Sequence, residues 1–167
     1  MGDDAAEVDV LVDDPRRCAC AQGGVLVSIH RALLDGPALS AFAESVESVA
    51  PEGLVLLTIF RLDPRYPLTP SFDTAIPELV ATLRRIERRF TAIAAVPEFG
   101  GVRRASLRVV SRAVWTLAQP RCEQAIFDRM TDAARWLGER APDGPARDLA
   151  TYFHLYRAAD ARLRARA

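Results

Sequence analysis

Two continuous apolar runs constrain the fold of this chain more than any other feature. Residues 53–60 read GLVLLTIF and residues 91–96 read TAIAAV. A strand with apolar residues at every position is buried on both faces, as in a parallel sheet covered by helices. Apolar stripes at helical spacing lie between and after these runs, so strand and helix alternate along the chain. This alternation predicts a domain of the α/β class.

A hairpin signal precedes the first helix, where Gly23-Gly24 separates two β-prone runs. Two glycines fit a tight turn that requires positive φ angles. Pairing across this turn puts Cys18 and Cys20 on one face of the hairpin and His30 on the other, because strand side chains alternate. The strand period alone separates the two cysteine positions by about 7 Å, which is a poor spacing for a disulfide.

The predicted order of elements is β-β-α-β-α-β-α-β-α, followed by one more helix. Crossovers between parallel strands are right-handed, so we expect a mixed sheet of about five strands with the helices mainly on one face. We divide the chain into a flexible acidic N-terminus at 1–8, an α/β domain at 9–141 and a C-terminal helical extension at 142–167. The extension carries an aromatic stripe that requires burial against the sheet or a second copy: Tyr152, Phe153 and Tyr156.

The helix after Gly100-Gly101 is predicted to run to about Ala118 and to stop at Pro120. Its apolar residues at helical spacing are expected to face the core: Val102, Val109, Val110, Ala113 and Leu117. A glycine pair before a helix is a weak signal for anion binding at the helix N-terminus, and a tight strand-to-helix turn is the simpler explanation.

The basic residues of this chain are all arginine, 22 in number, and there is no lysine. The chain therefore has neither a Schiff-base lysine nor a Walker-A phosphate lysine. Zero formal net charge and the lack of a recognisable reading motif argue against a nucleic-acid partner. The chain shows no signal peptide and no membrane span, and an odd number of cysteines does not suggest a disulfide scaffold, so we expect a cytoplasmic protein.

Three stretches and the element order resemble the anti-sigma factor antagonist (STAS) family: the hairpin leading into VLVSIHRALLDGPAL, the strand GLVLLTIF, and the end CEQAIFDRMTDAARWL. The resemblance covers roughly residues 9–141. It implies a protein–protein switch without catalysis, in which a kinase phosphorylates a serine of an Asp-Ser-Ser-Gly motif after the third strand. The corresponding loop here, 62–73, lacks that motif. Its neighbourhood offers only Thr69, Ser71 and Thr74 as candidate phospho-switch residues.

The titratable residues do not form a catalytic or metal-binding pattern. A zinc site made of Cys18, Cys20, Cys122 and His30 would need His30 on the cysteine face of the hairpin, and the predicted pairing puts it on the other. As a general base, His30 would need a nearby nucleophile or acid, and only Ser28 shares its face. We therefore expect no catalytic residue, no metal and no cofactor, with the cysteines buried as apolar side chains.

Segregated charge is the most distinctive surface feature that the sequence predicts. Eight arginines lie between residues 84 and 112, opposed only by Glu87 and Glu98, whereas residues 1–15 hold six acids and no arginine. Rows at i, i+4 lie along one flank of a helix, and two adjacent helices would join them into a basic ledge. Its candidate partner-binding residues are Arg84, Arg88, Arg104, Arg108 and Arg112.

We therefore expect a non-catalytic protein-interaction or regulatory module of STAS-like type. Its ledge would bind an acidic protein partner or the acidic N-terminus of another copy. The alternative is a small-ligand or lipid carrier whose apolar pocket is enclosed by the helices and the aromatic C-terminal stripe. An enzyme is the least favoured class.

Overall fold

The computed structural model of this 167-residue chain describes residues 8–32, 35–49, 53–65 and 72–166, and gives the backbone only at 49, 72–75, 102 and 103. The strands are β1 (Asp9–Asp14), β2 (Arg17–Gln22), β3 (Val25–His30), β4 (Leu54–Phe60), β5 (Phe90–Pro97) and β6 (Glu123–Ile126). The helices are α1 (Gly36–Val49), α2 (Phe72–Ile86), α3 (Gly101–Ala118), α4 (Met130–Gly138) and α5 (Leu149–Ala165).

The six strands of the described chain form one mixed sheet in sequential order, β1-β2-β3-β4-β5-β6. The first three strands pair antiparallel and the last four pair parallel. The predicted α/β class and mixed sheet are thus confirmed. The edge strand β1 was not predicted, because its acidic residues are not typical of a strand. Its pairing with β2 has a register irregularity between Val10 and Val12.

The predicted hairpin register is confirmed. Cys20 lies opposite Val27 and Cys18 lies opposite Ile29. Both turn glycines have positive φ angles, 57° at Gly23 and 85° at Gly24, which residues with a Cβ atom rarely adopt. The turn chemistry therefore fixes the pairing, and the pairing decides which face each side chain joins.

The helices lie on both faces of the sheet. Helices α1, α2 and α3 connect parallel neighbours in one direction, and right-handed crossovers in one direction all pass over the same face. Helices α4 and α5 are not crossovers, and they pack together on the opposite face. Of the helices in the described ranges, three therefore lie on the predicted main face and two on the other.

Alternating sheet residues supply two separate cores. The α5 side contains Val27, Val55 and Ala94 with Leu137 and Leu155 of the helices. The α1 side contains the residues between them in sequence, such as Leu26, Leu56 and Ile93, with the α1 residues Phe42 and Val46. Both faces of the central strands are therefore covered, which explains their continuous apolar sequence.

The predicted inward stripe of α3 is wrong for two of its residues. Leu107, Val114 and Ala118 are buried, and the last two pack against Val80 of α2. Val109 and Leu117 are 68% and 53% exposed. Val110 of the predicted stripe packs against the same cluster, and the side chain of Val102 lies outside the described part. The helix therefore carries two apolar stripes: one with Val110 and Val114 faces α2, and the other, with Val109 and Leu117, faces away from it.

Candidate partner-binding surface

Helix α3 presents an apolar row to solvent. Val109, Ala113 and Leu117 recur every four residues, so they follow one line along the helix, with Ala113 half-buried between two exposed residues. The described residues contain three exposed large hydrophobic side chains, and two of them, Val109 and Leu117, belong to this row. An exposed apolar row on a folded domain is typical of a surface that contacts another molecule.

A basic row runs beside the apolar row on the same helix. This row consists of Arg104, Arg108 and Arg112, which also recur every four residues. Each stands one residue before a position on the line of the apolar row, so the two rows lie about 100° apart around the helix axis. The carboxylate of Asp128 accepts from Arg104 at 3.1 Å and from Arg108 at 2.7 Å. Two arginines thus share one acid, and the exposed Arg112 extends the positive row beyond it.

The arginines of α2 border the C-terminal half of α3. The two helices pack against each other through Val80, Val114 and Ala118, which confirms the expected adjacency. The Arg84 guanidinium donates to the carbonyl of Leu117 at 2.7 Å, so it caps the negative end of the helix dipole. Arg88 is exposed in the short 3₁₀ turn after α2.

The two acids that lie among these arginines in the sequence, Glu87 and Glu98, form hydrogen bonds with residues outside the basic row. Glu98 binds Arg61 at 2.6 Å, and Glu87 accepts from the backbone N–H of Arg121. Asp128 is therefore the acid that contacts the basic row, and sequence reasoning missed it because it lies beyond β6. We define the α3 surface as Val109, Ala113 and Leu117 with Arg108 and Arg112.

The phospho-switch candidates lie outside the described part. Thr69 and Ser71 fall in the gap between residues 65 and 72, and the backbone alone is described at Thr74. Their role stays a prediction of the sequence.

His30 lies in the core on the α1 side. It is 2% exposed, and its Nε2 lies 3.0 Å from the Ser28 hydroxyl, which donates to the Thr58 hydroxyl at 3.2 Å. The ring stacks on Phe60 with a centroid separation of 5.5 Å. Burial, helped by the positive charge of Arg17, lowers the pKa of His30 to about 4. The imidazole is therefore neutral at physiological pH and shielded from a solvent-borne substrate.

Cys18 and Cys20 lie beneath α5, on the face opposite His30. Both are fully buried free thiols, and their sulfurs are 4.0 Å apart. This separation is shorter than the strand period because the two side chains incline toward each other. The hydrogen bond with Cys20 and burial raise the pKa of Cys18, so its thiol is protonated. Cys122 belongs to the core on the other side of the sheet.

Helix α5 is fixed to the carboxyl edge of the sheet by a polar cluster. Arg61, which follows β4, donates to Glu98 of the next loop and to Asp160 and the Tyr156 hydroxyl of α5. Tyr152 is fully buried, and its hydroxyl donates to the Ala146 carbonyl at 2.7 Å. Tyr152 and Tyr156 of the aromatic stripe thus pack onto the sheet of their own chain, and Phe153 is half-buried.

The described residues contain no group of three or more His, Cys, Asp or Glu side chains that could hold a metal ion. Within the same residues, no helix combines the length and apolarity needed to cross a membrane. No protein-family model, curated protein or solved structure matches this chain.

Proposed function

We propose that this protein is a non-catalytic protein-interaction module of STAS-like type, which binds a partner through the α3 surface. The observation that carries the proposal is the exposed apolar row beside a row of arginines on one helix. Apolar side chains supply affinity when they lose water, and flanking charges select the partner and steer its approach.

The element order supports the STAS-like assignment. The hairpin β2–β3 is followed by α1, by the two strand–helix units β4–α2 and β5–α3, and by the closing pair β6–α4. This is the order on which the sequence resemblance rests, with β1 added before it. The buried free thiols support a reducing compartment, and we place the module in the cytoplasm.

The residues that would serve competing functions have structural roles. The Nε2 of His30 is engaged with Ser28, and the aromatic residue Tyr152 fills the core on the α5 side. An enzyme would need a reactive group accessible to substrate, and a carrier would need the aromatic stripe around a cavity. These contacts favour the interaction module over both alternatives.

Native mass spectrometry of the protein isolated from its own host tests this proposal. We expect a protein partner bound to the wild-type chain and lost from the Arg112→Ala variant. Arg157→Ala is the matched control, because Arg157 is an exposed arginine on α5, across the sheet. A stoichiometric small molecule in place of a protein partner would overturn the proposal in favour of the carrier. Equal partner binding by both variants would exclude the α3 surface.

A further inference from the structure

We propose that the partner segment recognised by the α3 surface is an acidic amphipathic helix. The inference rests on the proposed function and specifies the chemistry of the partner. The incoming helix would place its apolar side chains on Val109, Ala113 and Leu117. Its carboxylates would lie against Arg108 and Arg112.

The apolar row has the dimensions of a helix-binding site. Val109 and Leu117 are eight residues apart, which corresponds to about 12 Å along the axis of α3. Residues spaced by four on a partner helix repeat at the same interval, so two such rows can pack side by side. The small side chain of Ala113 lies midway and allows a close approach between two larger residues.

The charges beside the row select an acidic helix. Arg112 is exposed, and Arg108 shares the Asp128 carboxylate with Arg104. Asp128 and the Arg108 side chain are 59% and 43% exposed, so their ion pair is weakly held and a partner carboxylate can replace Asp128. The partner carboxylate could then bind Arg108 and Arg112, which are one helical turn apart.

The same charges disfavour a second copy of the chain on this surface. Two α3 helices packed antiparallel through the apolar row would be related by a twofold axis near Ala113. The Arg112 side chains of both copies would then approach each other, and like charges destabilise such a contact. An acidic amphipathic helix can cover the apolar row with its apolar side chains and pair its carboxylates with the basic row.

Binding of designed peptides to the full-length protein tests the inference. The probe is an 18-residue helical peptide with leucine at three positions spaced by four and glutamate on both flanks. The comparison peptide has lysine in place of every glutamate. We expect the acidic peptide to bind, to weaken severalfold as salt shortens the Debye length from about 14 to 6 Å, and the lysine peptide not to bind.

Two variants separate the apolar and the electrostatic contributions. Leu117→Ser should weaken the acidic peptide about tenfold, because one leucine contact is lost. Arg112→Glu should weaken the acidic peptide and strengthen the lysine peptide. Arg157→Glu, which makes the same charge change across the sheet, should alter neither.

The inference is wrong if the acidic peptide fails to bind, or if it binds the Leu117→Ser and Arg112→Glu variants as well as it binds the wild type. Such a failure leaves the proposed function standing if the partner isolated from the host still depends on Arg112. A self-associating wild type whose dimer is lost in Leu117→Ser would instead assign the surface to a second copy.

Discussion

At the scale of single residues, His30 makes the stability of the fold depend on pH. The ring is buried between Phe42 and Phe60, and its Nδ1 has no hydrogen-bond partner among the described residues. The pKa of His30 is lowered from 6.5 to about 4, mainly by burial and secondly by the positive charge of Arg17. The folded protein therefore binds a proton on His30 less readily than the unfolded chain does.

Stability should consequently fall as the pH drops below 6.5, and the histidine contribution should be lost progressively down to about pH 4. Between pH 7.5 and 5, this difference in pKa corresponds to about 2 kcal/mol of unfolding free energy. Urea denaturation at the two pH values measures it.

The His30→Gln variant provides the control, since it can keep a hydrogen bond to Ser28 and does not titrate. Its loss of stability over the same pH interval should be smaller by that amount. Equal losses in the wild type and the variant would show that His30 is not the group that titrates.

At the scale of elements, the end of α3 is held by backbone and side-chain contacts together. Gln119 adopts the left-handed conformation with φ 47° and ψ 51°, and its N–H donates to the Trp115 carbonyl at 2.9 Å. It is the one non-glycine residue at positive φ in the described chain. Arg84 covers the neighbouring carbonyls from α2. The α3 surface thus depends on a helix end that carries local strain.

Replacing Gln119 with glycine should raise the unfolding free energy by about 0.5–1 kcal/mol. The substitution removes the steric cost of the left-handed conformation, and the greater freedom of glycine in the unfolded chain offsets part of the gain. Glu139→Gly is the matched control, because Glu139 ends α4 in the right-handed region at φ −66°. That variant should lose stability. A destabilised Gln119→Gly variant in thermal melts would contradict the prediction.

At the scale of the whole molecule, α5 completes the fold. Its residues Tyr152, Leu155, Ala159 and Leu163 are fully buried on the α5 side of the sheet, over Cys18 and Cys20. The C-terminal part of the helix is held by ion pairs, from Asp160 to Arg61 and from Arg162 and Arg166 to Asp13 of β1. The C-terminal extension therefore supplies one wall of a core.

Deleting residues 142–167 should abolish cooperative unfolding, because it returns the apolar face of β2 and β3 to water. Cys18 and Cys20 should then react with a thiol reagent at the rate of an unfolded chain, whereas the full-length protein should protect them. Leu155→Ala keeps the helix and should lower the unfolding free energy by about 2–5 kcal/mol while preserving cooperativity. A truncated chain with protected thiols and a sharp transition would show that residues 9–141 fold alone.

Local patterns of residues were enough to predict the class of the fold, the parallel central strands and the register of the hairpin. Each rests on local chemistry: apolar runs at GLVLLTIF and TAIAAV, and a glycine pair that tolerates the positive φ angles of a tight hairpin turn. Local patterns also indicated the arginine rows, because i, i+4 spacing specifies a helix flank wherever that helix packs.

The side of α3 that faces inward depends on how the helix packs in three dimensions. Periodicity shows which residues share a face, and α3 has two apolar faces, so the packing of Val114 and Ala118 on α2 left Val109 and Leu117 outside. Two ion-pair partners also depend on the tertiary structure. Arg61 contacts Asp160, which is 99 residues away in the sequence. Arg104 and Arg108 share the carboxylate of Asp128. These pairings depend on how loops and helices meet in space, which no local pattern of residues encodes.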